Sequence, residues 1–170
     1  MIFKAFFGLC RLQNKPQDLP TSIEFLFICL VIYTIVSFFV SLSLMSFADA
    51  AISGGIDTSL VMLMTYCFLY IRRVSERWVQ TTTALAGTGI IFNLLVAPIY
   101  YWIAFVSSKE PGYTAVALLI LVILFWSIIV MGHIMRYAMS IPFAAGILVS
   151  FVYLFIISNT IAMFTSPISF

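Results

Sequence analysis

Residues 22–47 read SIEFLFICLVIYTIVSFFVSLSLMSF, and no charged side chain interrupts the chain between Glu24 and Asp49. A helix rises about 1.5 Å per residue, so roughly 20 apolar residues cross a hydrocarbon core about 30 Å thick. This stretch is long enough to do so. Phe, Leu, Ile and Val crowd every face of it, whereas a helix at the surface of a soluble domain keeps one polar face. The solvent around it is therefore lipid. Residues 54–71, 82–106, 114–133 and 140–164 read the same way, which gives five spans.

Composition supports that reading over the whole chain. Apolar residues make up 64% of it and charged ones 8%, against about 45–50% and about 25% in soluble domains. Mean hydropathy is +1.18. The expected fold is all-α: a polytopic bundle of five transmembrane helices in one integral membrane domain, residues 1–170, preceded by an amphipathic surface helix. That helix falls within residues 1–15. At about 100° per residue Ile2, Phe3, Phe6, Leu9 and Cys10 share a face and Lys4, Arg11 and Lys15 gather opposite, so it is expected to lie flat on the leaflet. Lys4 breaks the apolar run and no small-residue cleavage site follows, so the segment is expected to be retained.

Charge placement sets the orientation. Threading five spans from a cytoplasmic N-terminus puts Lys4, Arg11, Lys15, Arg72, Arg73, Arg77 and Arg136 inside, leaving Lys109 outside with Asp49, Asp57 and Glu110. This meets the positive-inside rule. The seven inner basic side chains are expected at lipid headgroups, with Trp78 at the interface. A bacterial inner membrane, N-terminus in and C-terminus out, is the expected location.

Junctions are expected at 48–55, where Asp49 precedes Gly54-Gly55, at RRVSERW over 72–78, at 107–113 around Lys109-Glu110-Pro111-Gly112, and at 134–139. Thr21 and Glu24 have the spacing of a capping box. Asp57 is expected near the start of a short second span, where its charge suits the helix dipole and Ser53 can cap. Each carboxylate could instead carry a proton.

Within the third span Asn93 and Pro98 are the polar intramembrane candidates. Pro98 removes a donor and frees a carbonyl near Leu94. The preferred reading is a kinked helix in which Asn93 bonds a neighbour; the other is a cavity for an ion or polar solute lined by Asn93 and that carbonyl. Asn159 is expected to bond across helices or meet interfacial water. In the fifth span Ala138, Pro142, Gly146 and Ser150 recur every fourth residue, a small-xxx-small stripe for close helix packing within the bundle or between copies. Ser37 and Ser41 make a shorter one.

Several function classes lack their residues. His133 is the sole histidine, which removes multi-histidine metal and haem sites within one chain, and it reads as an interface marker beside Arg136 and Tyr137. Cys10, Cys29 and Cys67 have no metal-ligand spacing. Neither a phosphate-binding glycine loop nor paired catalytic groups are visible, and a net charge of +2 is too small to argue for nucleic acid. No catalytic activity, cofactor or metal is expected. The expected partners are the bilayer and other membrane proteins or further copies of this chain. The preferred function is a non-catalytic scaffold or subunit, and the competing one a small oligomeric transporter or channel for an ion or polar solute.

The five spans, the basic leader and the sequence PQDLP, with Pro16, Asp18, Leu19 and Pro20, resemble small bacterial inner-membrane proteins and look like the Yip-type five-span membrane proteins. An Asp-Leu pair also precedes the first span in that family, although the Gly-Pro that often follows it is absent here. The resemblance implies a membrane-organising or partner-binding role with no catalytic residues.

Overall fold

A computed structural model describes residues 2–103 and 113–165. Six α-helices account for most of them: α1 (Ile2–Cys10), α2 (Ile23–Ser41), α3 (Phe47–Ile71), α4 (Trp78–Ile103), α5 (Tyr113–Met139) and α6 (Phe143–Phe164). Short 3-10 turns lie at Pro16–Asp18 and Ser75–Arg77, and no strand occurs among the described residues. Helices α2 to α6 are each long and apolar enough to cross a membrane. The chain is an integral membrane protein built as an all-α bundle. The junction around Lys109 and Glu110, the end of the third span and the SPISF tail lie outside the described residues, as do the side chains of Ile2 and Phe3.

The five long helices close a ring: α2 packs on α3, α3 on α6, α6 on α5, α5 on α4, and α4 back on α2. The lipid-facing side is apolar, with Phe27, Val31, Ile35, Leu63, Leu118, Val122, Leu148 and Phe155 turned outward. Buried between helices are Leu26, Leu69, Val130, Ile134 and Met135. Leu, Ile and Val are as comfortable in lipid as in this core, so apolar burial alone drives little association; close backbone approach and polar contacts must supply it.

Close approach is clearest between α5 and α6. A Cβ on Gly146 would collide with the Gly132 carbonyl oxygen, and one on Gly132 would meet Ile147 at 2.9 Å. The stripe expected along the fifth span is split between α5 and α6 with Pro142 exposed, and Gly146 is the member pressed against α5. Pro142 is the N-cap of α6, Gly146 and Ser150 are buried within α6, and Ala138 is fully buried in α5.

Several boundaries differ from the sequence expectation, each for a local reason. The junction expected at 48–55 is helical, and the break falls between Ser41 and Phe47. Ser46 caps α3 by accepting from the Asp49 amide at 3.2 Å and donating to its carboxylate at 2.8 Å. Gly54 is not a turn glycine: its missing side chain makes room for the Thr34 carbonyl of α2, 3.4 Å from where a Cβ would sit. Ser53, expected to cap, is instead buried in α3, and α2 is capped by Ser22, not Thr21, through the Phe25 amide. The expected separator at 134–139 belongs to α5, which ends at Met139. The third span starts at Trp78 or before, earlier than residue 82.

One end of the bundle gathers Arg72, Arg73, Arg77 and Arg136, and three helices finish there in left-handed residues: Leu12, Arg73 and Ser140, with φ of 61°, 56° and 54°. Each lets a following amide reach back to the last turn: Gln13 to the Gly8 carbonyl, Val74 to Leu69, and Ile141 to Arg136. These are Schellman closures with a side chain where glycine usually stands. Arg77 does not reach for lipid. Its guanidinium donates to the carbonyls of Tyr137 and Ala138, both at 3.2 Å, and to the Ser140 hydroxyl, covering the orphan carbonyls that end α5. The Trp78 indole likewise donates inward, to the Met62 carbonyl.

Helix α1 is amphipathic as expected, but it docks on protein. Phe6, Leu9 and Cys10 are buried while Lys4, Phe7 and Arg11 face outward. The Phe6 ring seats on Gly87 of α4, where any Cβ would strike it, and stacks on Phe25. From α5 the Trp126 indole donates to the Cys10 carbonyl at 3.1 Å. The segment after α1 covers His133, which is 6% exposed with Nε2 at 2.9 Å from the Asn14 carbonyl. His133 is thus not a snorkelling interface residue.

Candidate functional site: a polar cavity at the centre of the ring

The helices line a partly open cavity of about 190 Å³ to which every long helix contributes: Tyr33 from α2, Asp57 from α3, Thr88 and Asn93 from α4, Ser127 from α5 and Tyr153 from α6. Asp57 lies about 15 Å along α3 from its first residue, and Tyr153 about 15 Å along α6. Both sit near half depth of a span, where an ionisable side chain is costly and is kept chiefly for function.

Helical geometry assembles the carboxylate's partners. Tyr33 and Ser37 are one turn apart on the same face of α2, and both donate to the same oxygen, Oδ2 of Asp57, at 2.7 and 3.0 Å. Oδ1 carries no hydrogen bond among the described residues. Beside them Thr34 and Thr58 share a hydrogen bond at 2.7 Å, fixing α2 against α3 at this level. On α6 the Tyr153 side chain is 2% exposed, and its hydroxyl is buried near the Thr65 side chain without a hydrogen bond of good geometry among the described residues. Most buried polar atoms are paired, so this hydroxyl, closed off within the wall of the cavity, is an exception. Gly89 seats the Tyr33 ring, 2.6 Å from where a Cβ would stand, and so sets that ring's position over the cavity.

The sequence candidates divide. Asn93 lines the cavity. Pro98 does not: α4 runs through it to Ile103, and both Pro98 and Leu94 face outward. Asn159 neither crosses to another helix nor reaches the cavity; its amide donates to the Phe155 carbonyl of its own helix, the cheapest way to satisfy an amide facing lipid. Asp57, expected near a helix start, is the carboxylate of the site, because α3 begins at Phe47. Glu24 stays exposed in the first turn of α2. Lys4, Arg11, Lys15, Arg72, Arg73 and Arg136 are exposed at the basic end, with Lys15 and Arg136 over the Tyr137 ring at 5.3 and 5.2 Å. Tyr33 and Tyr153 escape the sequence reading, and Ser37 is read there only as a packing residue. The Tyr33–Ser37 spacing in an otherwise apolar run is the signal that could have placed those two at the site.

No protein-family model matches the chain, nor does any curated protein or solved structure.

Proposed function

We propose that this protein is a non-catalytic membrane transporter that binds a small polar or ionic solute in the central cavity, with Asp57 as the anchoring group. The carrying observation is the carboxylate at half depth, surrounded by all five spans, with one oxygen free of protein hydrogen bonds. An ionisable side chain at that depth is costly to keep without a function. The scaffold reading, and the Yip-type resemblance that points the same way, draw less support: of the small residues offered as a partner surface, Gly146 is pressed against α5 and Ala138 and Ser150 are buried within the bundle. We place the basic end in the cytoplasm of a bacterial inner membrane on the positive-inside rule, which puts both α1 and the Arg77 cap on that side.

The test is solute flux into proteoliposomes, run over alkali cations, small alkylammonium ions, sugars and amides. Wild-type protein should carry one of these classes, and Asp57→Asn should lower that flux about tenfold or more, the loss of one charge-assisted contact. Absence of flux for every class would overturn the transport reading, as would full flux in the variant.

A further inference from the structure

We infer that the ligand of the central cavity is a small organic monocation of the alkylammonium type, an inference that rests on the transport reading and narrows it. Charge comes first. Among the described residues the cavity wall holds one carboxylate, Asp57, and no Lys, Arg or His. A lone negative charge at this depth repels anions and is neutralised by a single positive charge. Divalent magnesium and calcium take six or more oxygens, commonly from several carboxylates, and among the described residues no three His, Cys, Asp or Glu side chains come together.

The rest of the wall separates an alkylammonium from an alkali ion. Tyr33, Phe92 and Tyr153 supply aromatic rings, and Met131, Leu154 and Ile157 supply aliphatic surface. Aromatic faces attract cations that have shed water, and apolar walls reward alkyl groups. A sodium or potassium ion would gain little from most of this lining. Hydrogen bonding points the same way. With Tyr33 and Ser37 both on Oδ2, Oδ1 remains to accept from an ammonium N–H. Size limits the ligand: about 190 Å³ is below the roughly 300–1,000 Å³ of sites for drug-sized molecules, so an amine with a few carbons fits.

Equilibrium binding to the full chain in nanodiscs tests this, with trimethylammonium as probe and tert-butanol as an uncharged molecule of similar shape. Trimethylammonium should bind about tenfold or more tightly than tert-butanol. Asp57→Asn should erase that preference and leave tert-butanol binding in place, which also shows the variant to be folded. Phe92→Leu should weaken trimethylammonium severalfold and tert-butanol little. Trimethylammonium binding unchanged in Asp57→Asn would overturn the site. Binding or flux of sodium, potassium or an uncharged solute without trimethylammonium would overturn the ligand class and leave the transport reading standing. Failure of every probe in both binding and flux would overturn both.

Discussion

Polar groups are buried in two places in this molecule, and they are treated in opposite ways. At the basic end the side-chain donors largely serve the backbone. Arg77 holds the last carbonyls of α5, Gln80 donates to the carbonyls of Gln17 and Leu19, Gln17 donates to Tyr137, and Trp126 to Cys10. Such bonds close helix ends and tie loops to helices, although Gln17 Oε1 and Thr82 Oγ1 are buried there without a partner among the described residues. In the central cavity the bonds run between side chains, both donors crowd one oxygen of Asp57, and Tyr153 has no partner among the described residues. The first arrangement is what stability demands of a membrane protein. The second withholds bonds that stability would favour, and in doing so leaves room for a ligand.

Breaking a tie at the basic end should therefore cost stability and spare the cavity. Arg77→Met removes three hydrogen bonds and leaves carbonyls of α5 uncovered. It is expected to destabilise the protein by about 2–3 kcal/mol, read as a lower midpoint in thermal unfolding in detergent, with flux per folded molecule unchanged. A shift of a few tenths of a kcal/mol would show the cap to be ornamental.

A smaller effect is expected where α1 meets α5. Trp126→Phe deletes one hydrogen bond, worth about 1 kcal/mol, and should loosen α1. Cys10 reports on this, because burial pushes its thiol from 9.0 up to about 11. The docked state holds that proton where the undocked state would release it, so docking is at full strength below pH 9 and weakens as pH rises toward 11. In wild-type protein Cys10 should resist alkylation at pH 8 and become reactive across that window; Trp126→Phe should bring reactivity to lower pH. Equal rates in the two proteins would mean that the indole does not hold the helix.

The smallest stability change belongs to the cavity. Tyr153→Phe removes a hydroxyl without a partner among the described residues, so stability should hold or rise by up to about 1 kcal/mol, and because the ring that lines the cavity stays, solute binding should hold. A clear loss of stability would reveal a structural bond at that hydroxyl and move Tyr153 into the same class as Arg77.

Much of the bundle was legible because lipid imposes a simple demand: about 20 apolar residues per span. Boundaries were less legible, and Gly54-Gly55 shows why. A glycine pair after an aspartate reads as a turn, yet both lie inside α3, Gly54 beside the Thr34 carbonyl of α2 and Gly55 facing open space, and sequence alone does not say which use applies. Placing the turn there moved Asp57 to a helix start and made it look like Glu24, an ordinary first-turn acid. Asn93 was legible as a polar intramembrane residue. Its partners were not, since five helices converge on it only once the ring closes. The N-terminal helix was legible in its periodicity, but an apolar face suited to lipid suits Gly87 and Phe25 equally.

Accessibility at position 93 tests the central cavity most directly. In a background with Cys10, Cys29 and Cys67 replaced, Asn93→Cys should react with a cationic thiosulfonate reagent in membrane vesicles. It should react about tenfold faster than with an anionic one, and Asp57→Asn should abolish that difference. Leu95→Cys, which faces outward, should stay unreactive toward both. If position 93 reacts no faster than position 95, or shows no preference for the cation while Asp57 is present, the cavity is closed to solute and the account of this protein as a transporter is wrong.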